Sequence, residues 1–187
     1  MDSKLTDKGI TSAIMLGERL NDTDFNAVYS SPNERAFRTA TYINENKQVP
    51  IYTIEGLKEI HFGDWEGKTK EEIESTEMYN IEYQNFWNNP HMYNHDPHKG
   101  ESLAAFKQRV EDALKKIISE NNNGNVLIVT HAVVIRAILL FTMSISTKKM
   151  WDPPFIHRTS LTIFNWDGEK FNYKMRGDTS HFKNEMR

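Results

Sequence analysis

The sequence predicts an α/β fold, a three-layer α/β/α sandwich around a mostly parallel sheet. Short strands alternate with helices along most of the chain, which is typical of such folds. Val126–Val129 is a continuous β-branched and apolar run, the pattern of a parallel strand that is covered on both faces. The segment AVVIRAILLF after His131 is apolar nearly all round and predicts a buried helix. With 187 residues, we expect one domain over residues 1–187.

The helices are predicted from caps and from helical spacing of apolar residues. The first covers residues 6–20, with Thr6 as its N-cap. The second begins in SSPNER, where Ser31 is the expected N-cap, Pro32 suits the first helical position and Glu34 completes a capping box. Two more helical regions are predicted downstream, one or two aromatic-rich helices in residues 70–89 and an amphipathic helix over residues 101–121.

Strands and loops fill the remaining segments. Short strands are predicted at residues 27–29 and 51–54, and a hairpin joins residues 159–166 to 171–175 through Asp167-Gly168. The glycine-rich and charged residues 55–69 form an ordered loop, and residues 91–100 form another. Residues 78–99 are expected to form a cap over the pocket, and the polar tail after Met175 is expected to be exposed.

Composition excludes several classes of function. The formal net charge of −3 gives no basis for a nucleic-acid or membrane surface. The chain has no cysteine, which excludes disulfides and thiolate chemistry and makes the cytoplasm the simplest location. Its longest apolar run is interrupted by Arg136 and is too short to cross a bilayer. No signal peptide is visible in the polar start of the sequence.

Three segments place reactive side chains where strands end. Arg35 lies in the first turn of a helix after one strand, and a guanidinium beside a helix N-terminus suits a phosphate. LKEIHFGDWEG offers Glu59, Asp64 and Glu66, any of which could serve as a general acid if burial raised its pKa. His131 ends the strand Val126–Val129. Each residue alone has an ordinary structural explanation, but the three together favour a ligand site at one sheet edge.

These motifs resemble the histidine phosphatase superfamily, which includes the cofactor-dependent phosphoglycerate mutases. The resemblance rests on DSKLTDKG, SSPNERAFRTA, LKEIHFGDWEG, KGES and VTHAVVIRAIL, in the expected order. It implies that Arg35 binds the transferred phosphoryl group, that His131 donates to its oxygens and that Glu59 protonates the leaving alcohol. Ala132 stands where the family usually has glycine, next to the phosphate. The resemblance implies a phosphohistidine intermediate with no metal and no organic cofactor.

The sequence departs from the family at the nucleophile. The family's nucleophilic histidine lies in an Arg-His-Gly motif after a strand that precedes DSKLTDKG, and no such motif occurs in this chain. We expect a truncated start that omits roughly 15–25 residues, the length of a strand and an active-site loop. A natural non-catalytic phosphate-ester binding protein is the alternative. In either case, the absent strand should leave an unpaired apolar strand edge.

Three further questions follow from the sequence. The short chain and EIHFGDWEG resemble the phosphatase branch more than the mutases, so a small phosphate monoester is the expected partner. His91, His95 and His98 form a competing zinc hydrolase hypothesis, but Pro90 and Pro97 indicate a loop without fixed ligand geometry. The identity of the phosphate ester and the presence of a homo-oligomer are left open.

Overall fold

A computed structural model describes residues 2–182 and contains a parallel sheet of three strands in the order β2-β1-β3. The strands are β1 (Ala27–Ser30), β2 (Ile51–Thr53) and β3 (Val126–Val129). Ser30 pairs with Thr53 on one side and with Val129 on the other. All three strands therefore end together, and the segments that follow them meet at one edge of the sheet.

Helices cover both faces of this sheet. On one face, Val28 and Leu127 pack with apolar residues of the first two helices, while on the other face Tyr29 packs with the last two. This arrangement is the predicted three-layer α/β/α sandwich around a parallel sheet. The helices are α1 (Asp7–Arg19), α2 (Glu34–Asn44), α3 (Lys70–Glu74), α4 (Glu77–Asn88), α5 (Leu103–Glu120) and α6 (Ala132–Thr142).

The hairpin has the predicted position, but its first strand begins two residues later and its second strand ends three residues later than predicted. Its strands are β4 (Leu161–Trp166) and β5 (Phe171–Asp178), joined by a turn in which Asp167 accepts two backbone N–H groups. The prediction of an exposed tail after Met175 was wrong for the described part. The strand continues to Asp178, whose carboxylate pairs with Arg19 of α1, and Phe182 is buried. Residues 183–187 lie outside the described residues.

The β3 edge of the sheet has no further strand partner among residues 2–182. There β3 pairs only with β1, and residues 2–5 form no strand. The expected unpaired edge from an absent strand stays a prediction, because within this part of the chain an open sheet in the order β2-β1-β3 leaves both β2 and β3 without an outer partner. Val126 and Ile128 are half-buried, so the prediction of a strand that is covered on both faces was wrong at these two positions. No helix in residues 2–182 has the length and hydropathy that a membrane span requires.

Candidate active site

His131 lies at the sheet edge, between the end of β3 and the first turn of α6. It occupies the N-cap position of α6 and its side chain is buried. Its Nε2 atom lies 2.8 Å from Oγ of Ser31, which directly follows β1. The parallel pairing of β1 with β3 explains this contact, because it brings the two strand ends side by side. The Ser31 N–H continues the ladder by donating to the Val129 carbonyl.

Ser31 does not have the capping role that its sequence context predicts. Helix α2 begins at Glu34 with Asn33 as its N-cap, and no side chain caps it by a hydrogen bond. The capping box of Ser31 and Glu34, with Pro32 at the first helical position, was therefore wrong. The Ser31 hydroxyl donates to Oδ1 of Asn33 at 3.1 Å, so it can only accept from His131. We assign the Nε2–H tautomer to the neutral imidazole on this basis.

The environment of His131 favours its neutral form. Burial, assisted by the nearby guanidinium of Arg35, lowers the pKa of His131 from 6.5 to about 4, and the Asp2 carboxylate opposes this shift. At neutral pH the ring therefore carries one proton, which points toward Ser31. A ligand that offered stronger acceptor atoms could take over that N–H.

Glu59 reaches the same corner from the loop after β2. Its Oε1 atom accepts the Ile60 N–H at 3.0 Å, and its Oε2 atom accepts the Val133 N–H of α6 at 3.3 Å. Burial raises the pKa of Glu59, while these two hydrogen bonds and the charge of Arg35 partly oppose the rise. A carboxyl group of this kind can hold a proton nearer neutral pH than an exposed glutamate can.

Arg35 completes the group from the first turn of α2. Its side chain is 29% exposed, and its Nη1 atom lies 3.7 Å from Oδ1 of Asp2. The other Asp2 oxygen accepts the Glu34 N–H at 2.7 Å, at the N-terminus of α2. A carboxylate thus lies where a guanidinium and a helix N-terminus both attract anions. Ala132 is the exposed first residue of α6, whose first N–H groups have no partner within the helix.

The structure therefore brings Arg35, Glu59 and His131 to one edge, as the sequence predicts. Asp64 and Glu66, the other carboxylates of the loop, make different contacts. The Asp64 carboxylate accepts from the Tyr79 hydroxyl at 3.2 Å, and Glu66 accepts the Phe62 N–H at 3.3 Å. Both carboxylates thus help to order the loop and its surroundings.

The zinc hypothesis does not fit the histidines of residues 91–98. The two ring nitrogens of His98 lie 2.8 Å from the Phe62 carbonyl and 2.9 Å from the Tyr93 hydroxyl. Its ring also stacks on Trp65, with 3.7 Å between centroids. Within residues 2–182, no three His, Asp or Glu side chains are grouped so that they could hold a metal ion. His98 is instead a packed member of an aromatic cluster.

Sequence analysis assigned no functional role to three residues at or near this site. Ser31 was interpreted only as a cap, although the SSPNER motif contains it. Asp2 belongs to DSKLTDKG, but nothing in that motif indicates its approach to Arg35. Arg109 binds the loop that carries Glu59, yet in the sequence it resembles any arginine on an amphipathic helix. These contacts join residues that are far apart in the sequence, so the three-dimensional structure is needed to find them.

The fold and this site define a member of the histidine phosphatases. Residues 1–179 match the family model of the histidine phosphatase superfamily, branch 1, and the chain belongs to that superfamily. It is similar to the solved structure of Bacillus stearothermophilus YhfR, with a TM-score of 0.90 and 39% identity over 96% of this chain and 87% of that one.

Two further relatives are named phosphatases. The adenosylcobalamin/alpha-ribazole phosphatase of Salmonella typhimurium is 31% identical over 79% of this chain and 71% of its own length. A phosphoserine phosphatase mutant from Entamoeba histolytica, solved in complex with phosphoserine, has a TM-score of 0.82 and 28% identity, covering 97% of this chain and 88% of that one.

Proposed function

We propose that this site binds small phosphate monoesters and supports their hydrolysis through a phosphohistidine, without a metal ion. The observation that carries the proposal is the convergence of a cationic, an acidic and an imidazole side chain, Arg35, Glu59 and His131, at the ends of the parallel strands. Phosphoryl transfer needs positioning and charge stabilisation more than covalent chemistry from the protein, and these three groups can supply both.

Each residue has a distinct role in the proposed reaction. The Arg35 guanidinium holds two phosphoryl oxygens, and the His131 N–H shifts from Ser31 to a third oxygen. As a nucleophilic histidine nitrogen bonds to phosphorus, the ester P–O bond breaks and Glu59 gives its proton to the leaving alcohol oxygen. Water then attacks the phosphohistidine, Glu59 takes the proton of that water, and the histidine leaves as phosphate forms.

The nucleophile is the incomplete part of this proposal. The 187 residues contain no Arg-His-Gly motif, so the phosphohistidine step is proposed for a form in which such a histidine enters the pocket. The second candidate function is a phosphate-ester binding protein without turnover. The two candidates predict the same anion binding by Arg35 and His131, and they differ only in catalysis.

The proposed substrate class follows from the relatives. Phosphoserine, in the name of one relative, and alpha-ribazole-5'-P, in the name of a similar solved structure, are both small phosphate monoesters. We propose a substrate of similar size, with residues 78–99 acting as a cap that contacts its organic part. The cap, the single domain of residues 1–187 and the cytoplasmic location remain predictions.

The test compares two proteins, each assayed with and without a chelator. One is this 187-residue chain, and the other is the protein translated from the next upstream in-frame start codon. Hydrolysis of an aryl phosphate only by the longer form is the expected result. Hydrolysis by neither, with vanadate still bound, would favour the binding protein. Hydrolysis by the 187-residue chain would refute the proposed nucleophile, and loss of activity to the chelator would refute the metal-independent mechanism.

A further inference from the structure

Arg109 of α5 binds the loop that carries Glu59 at several points. Its Nη1 atom donates to the carbonyls of Gly56 and Lys58 at 2.9 and 2.8 Å. Its Nη2 atom donates to the Glu59 carbonyl at 3.1 Å. The guanidinium thus donates to three backbone carbonyls within four consecutive residues. The last of these residues is Glu59, whose carboxyl group accepts an N–H of α6.

Glu101 fixes the guanidinium from its other side. Nε and Nη2 of Arg109 donate to the two Glu101 oxygens at 2.7 and 2.8 Å, so the pair is bidentate. The five hydrogen bonds match the five N–H donors of an arginine. Glu101 also binds the loop directly, because its carboxylate accepts the His61 N–H at 3.2 Å and its N–H donates to the His61 carbonyl at 2.7 Å.

The loop and α5 approach each other closely at Gly56. A Cβ atom at Gly56 would lie 2.7 Å from the Arg109 carbonyl oxygen and 2.8 Å from Cβ of Ala113. Glycine therefore permits this contact between the loop and the helix. At the opposite end of the loop segment, Glu59 is held by the Val133 N–H of α6. The segment is fixed at both ends, between α5 and α6.

We propose that Arg109 is a positioning residue for Glu59, and that the Arg109–Glu101 pair holds the Glu59 carboxyl group at the N-terminus of α6. The proposal rests on the proposed function of Glu59 as proton donor and acceptor. Arg109 does not reach the substrate site itself, since its five donors are used by the loop and by Glu101. Lysine has three donors on a flexible stem and cannot reproduce this planar fork.

The substitution Arg109→Lys tests whether Arg109 acts on Glu59 by positioning its loop or only by its positive charge. The Arg109 charge lowers the pKa of Glu59, whereas burial, the larger effect, raises it. In Arg109→Lys the charge remains, but the loop loses its anchors and Glu59 becomes more hydrated. We therefore expect the pKa of Glu59 to fall toward that of an ordinary glutamate. A role in global stability alone would not change this pKa in the folded protein.

The experiment follows Glu59 by carbon NMR of glutamate-labelled protein, with the resonance assigned by Glu59→Gln. The matched control is Arg136→Lys, because Arg136 is also an arginine that donates to loop carbonyls, those of Asp152 and Pro154 at 2.6 Å each. The expected result is a lower pKa of Glu59 in Arg109→Lys and an unchanged pKa of Glu59 in Arg136→Lys. An identical titration in the wild type and Arg109→Lys overturns the proposal.

A second variant covers the case in which Arg109→Lys does not fold. Glu101→Gln keeps Arg109 but removes the carboxylate that binds its guanidinium. The pKa of Glu59 should therefore also fall, by a smaller amount than in Arg109→Lys. No change in that variant also contradicts the proposal. Binding of inorganic phosphate by the wild type is measured in parallel. Its absence would count against the proposed function, while the titration of Glu59 still decides the role of Arg109.

Discussion

The low pKa of His131 makes folding stability depend on pH. The unfolded chain binds a proton at this histidine as pH falls through 6.5, whereas the folded protein does not until about pH 4. The unfolded state therefore gains protons first. The stability that the neutral His131 contributes is lost progressively as pH falls from 6.5 to about 4. One pKa unit corresponds to about 1.4 kcal/mol, so His131 should cost about 2 kcal/mol of stability between pH 7 and pH 5.

The perturbation that isolates this effect is His131→Gln. The raised pKa of Glu59 has the opposite effect, because the folded state holds that proton more tightly and acid stabilises it. Both proteins retain Glu59, so its contribution largely cancels in the difference between them. His61→Gln is the control for removing a solvent-exposed imidazole, since its side chain is 63% exposed.

Urea unfolding at pH 7 and pH 5, followed by tryptophan fluorescence, measures the difference. The chain has four tryptophans, and Trp65 is buried in the aromatic cluster. We expect the wild type to lose about 2 kcal/mol more than His131→Gln between the two pH values. Equal losses in the two proteins would refute the assignment of a buried, neutral His131.

Three other substitutions test the site and the core. Arg35→Gln should weaken phosphate binding in calorimetry by about tenfold or more through loss of a charged donor, whereas the exposed Arg38→Gln should leave it unchanged. Asp2→Asn should strengthen phosphate binding about threefold, because it removes a negative charge from the α2 N-terminus, and weaker binding would contradict this. Phe106→Ala should lower the free energy of unfolding, measured in urea, by about 3–5 kcal/mol. The control Phe155→Ala should lower it by less than about 0.5 kcal/mol, because Phe155 is 69% exposed.

Local patterns were sufficient to predict the elements and the edge that carries the site. Val126–Val129 and the apolar segment after His131 identify a strand and a buried helix, although Val126 and Ile128 are only half-buried. The parallel order then follows from helical crossovers, which place successive strand ends on one edge. The parallel topology brings the segments that carry Arg35, Glu59 and His131 to one edge, and the roles of these residues stay predictions.

Contacts across long sequence separations could not be predicted in this way. Ser31 satisfies the local rules for an N-cap, but its hydroxyl binds His131, one hundred residues away. Arg109 lies at a polar position of an amphipathic helix, and its binding to the Glu59 loop depends on how α5 packs. Phe182 was placed in an exposed tail because its neighbours are polar, yet it is buried. In each case tertiary packing decides what the side chain binds.

The two titratable groups of the site should respond together to an anion. A dianion held by Arg35 would lie near both His131 and Glu59, and a nearby negative charge raises the pKa of each. Binding would thus draw a proton toward the pocket, and Glu59 needs that proton to serve as the acid. Sulfate does not titrate near neutral pH, so its binding at pH 6 should take up protons from solution. Calorimetry in buffers of different ionisation enthalpy measures this uptake, and proton release would contradict the coupling.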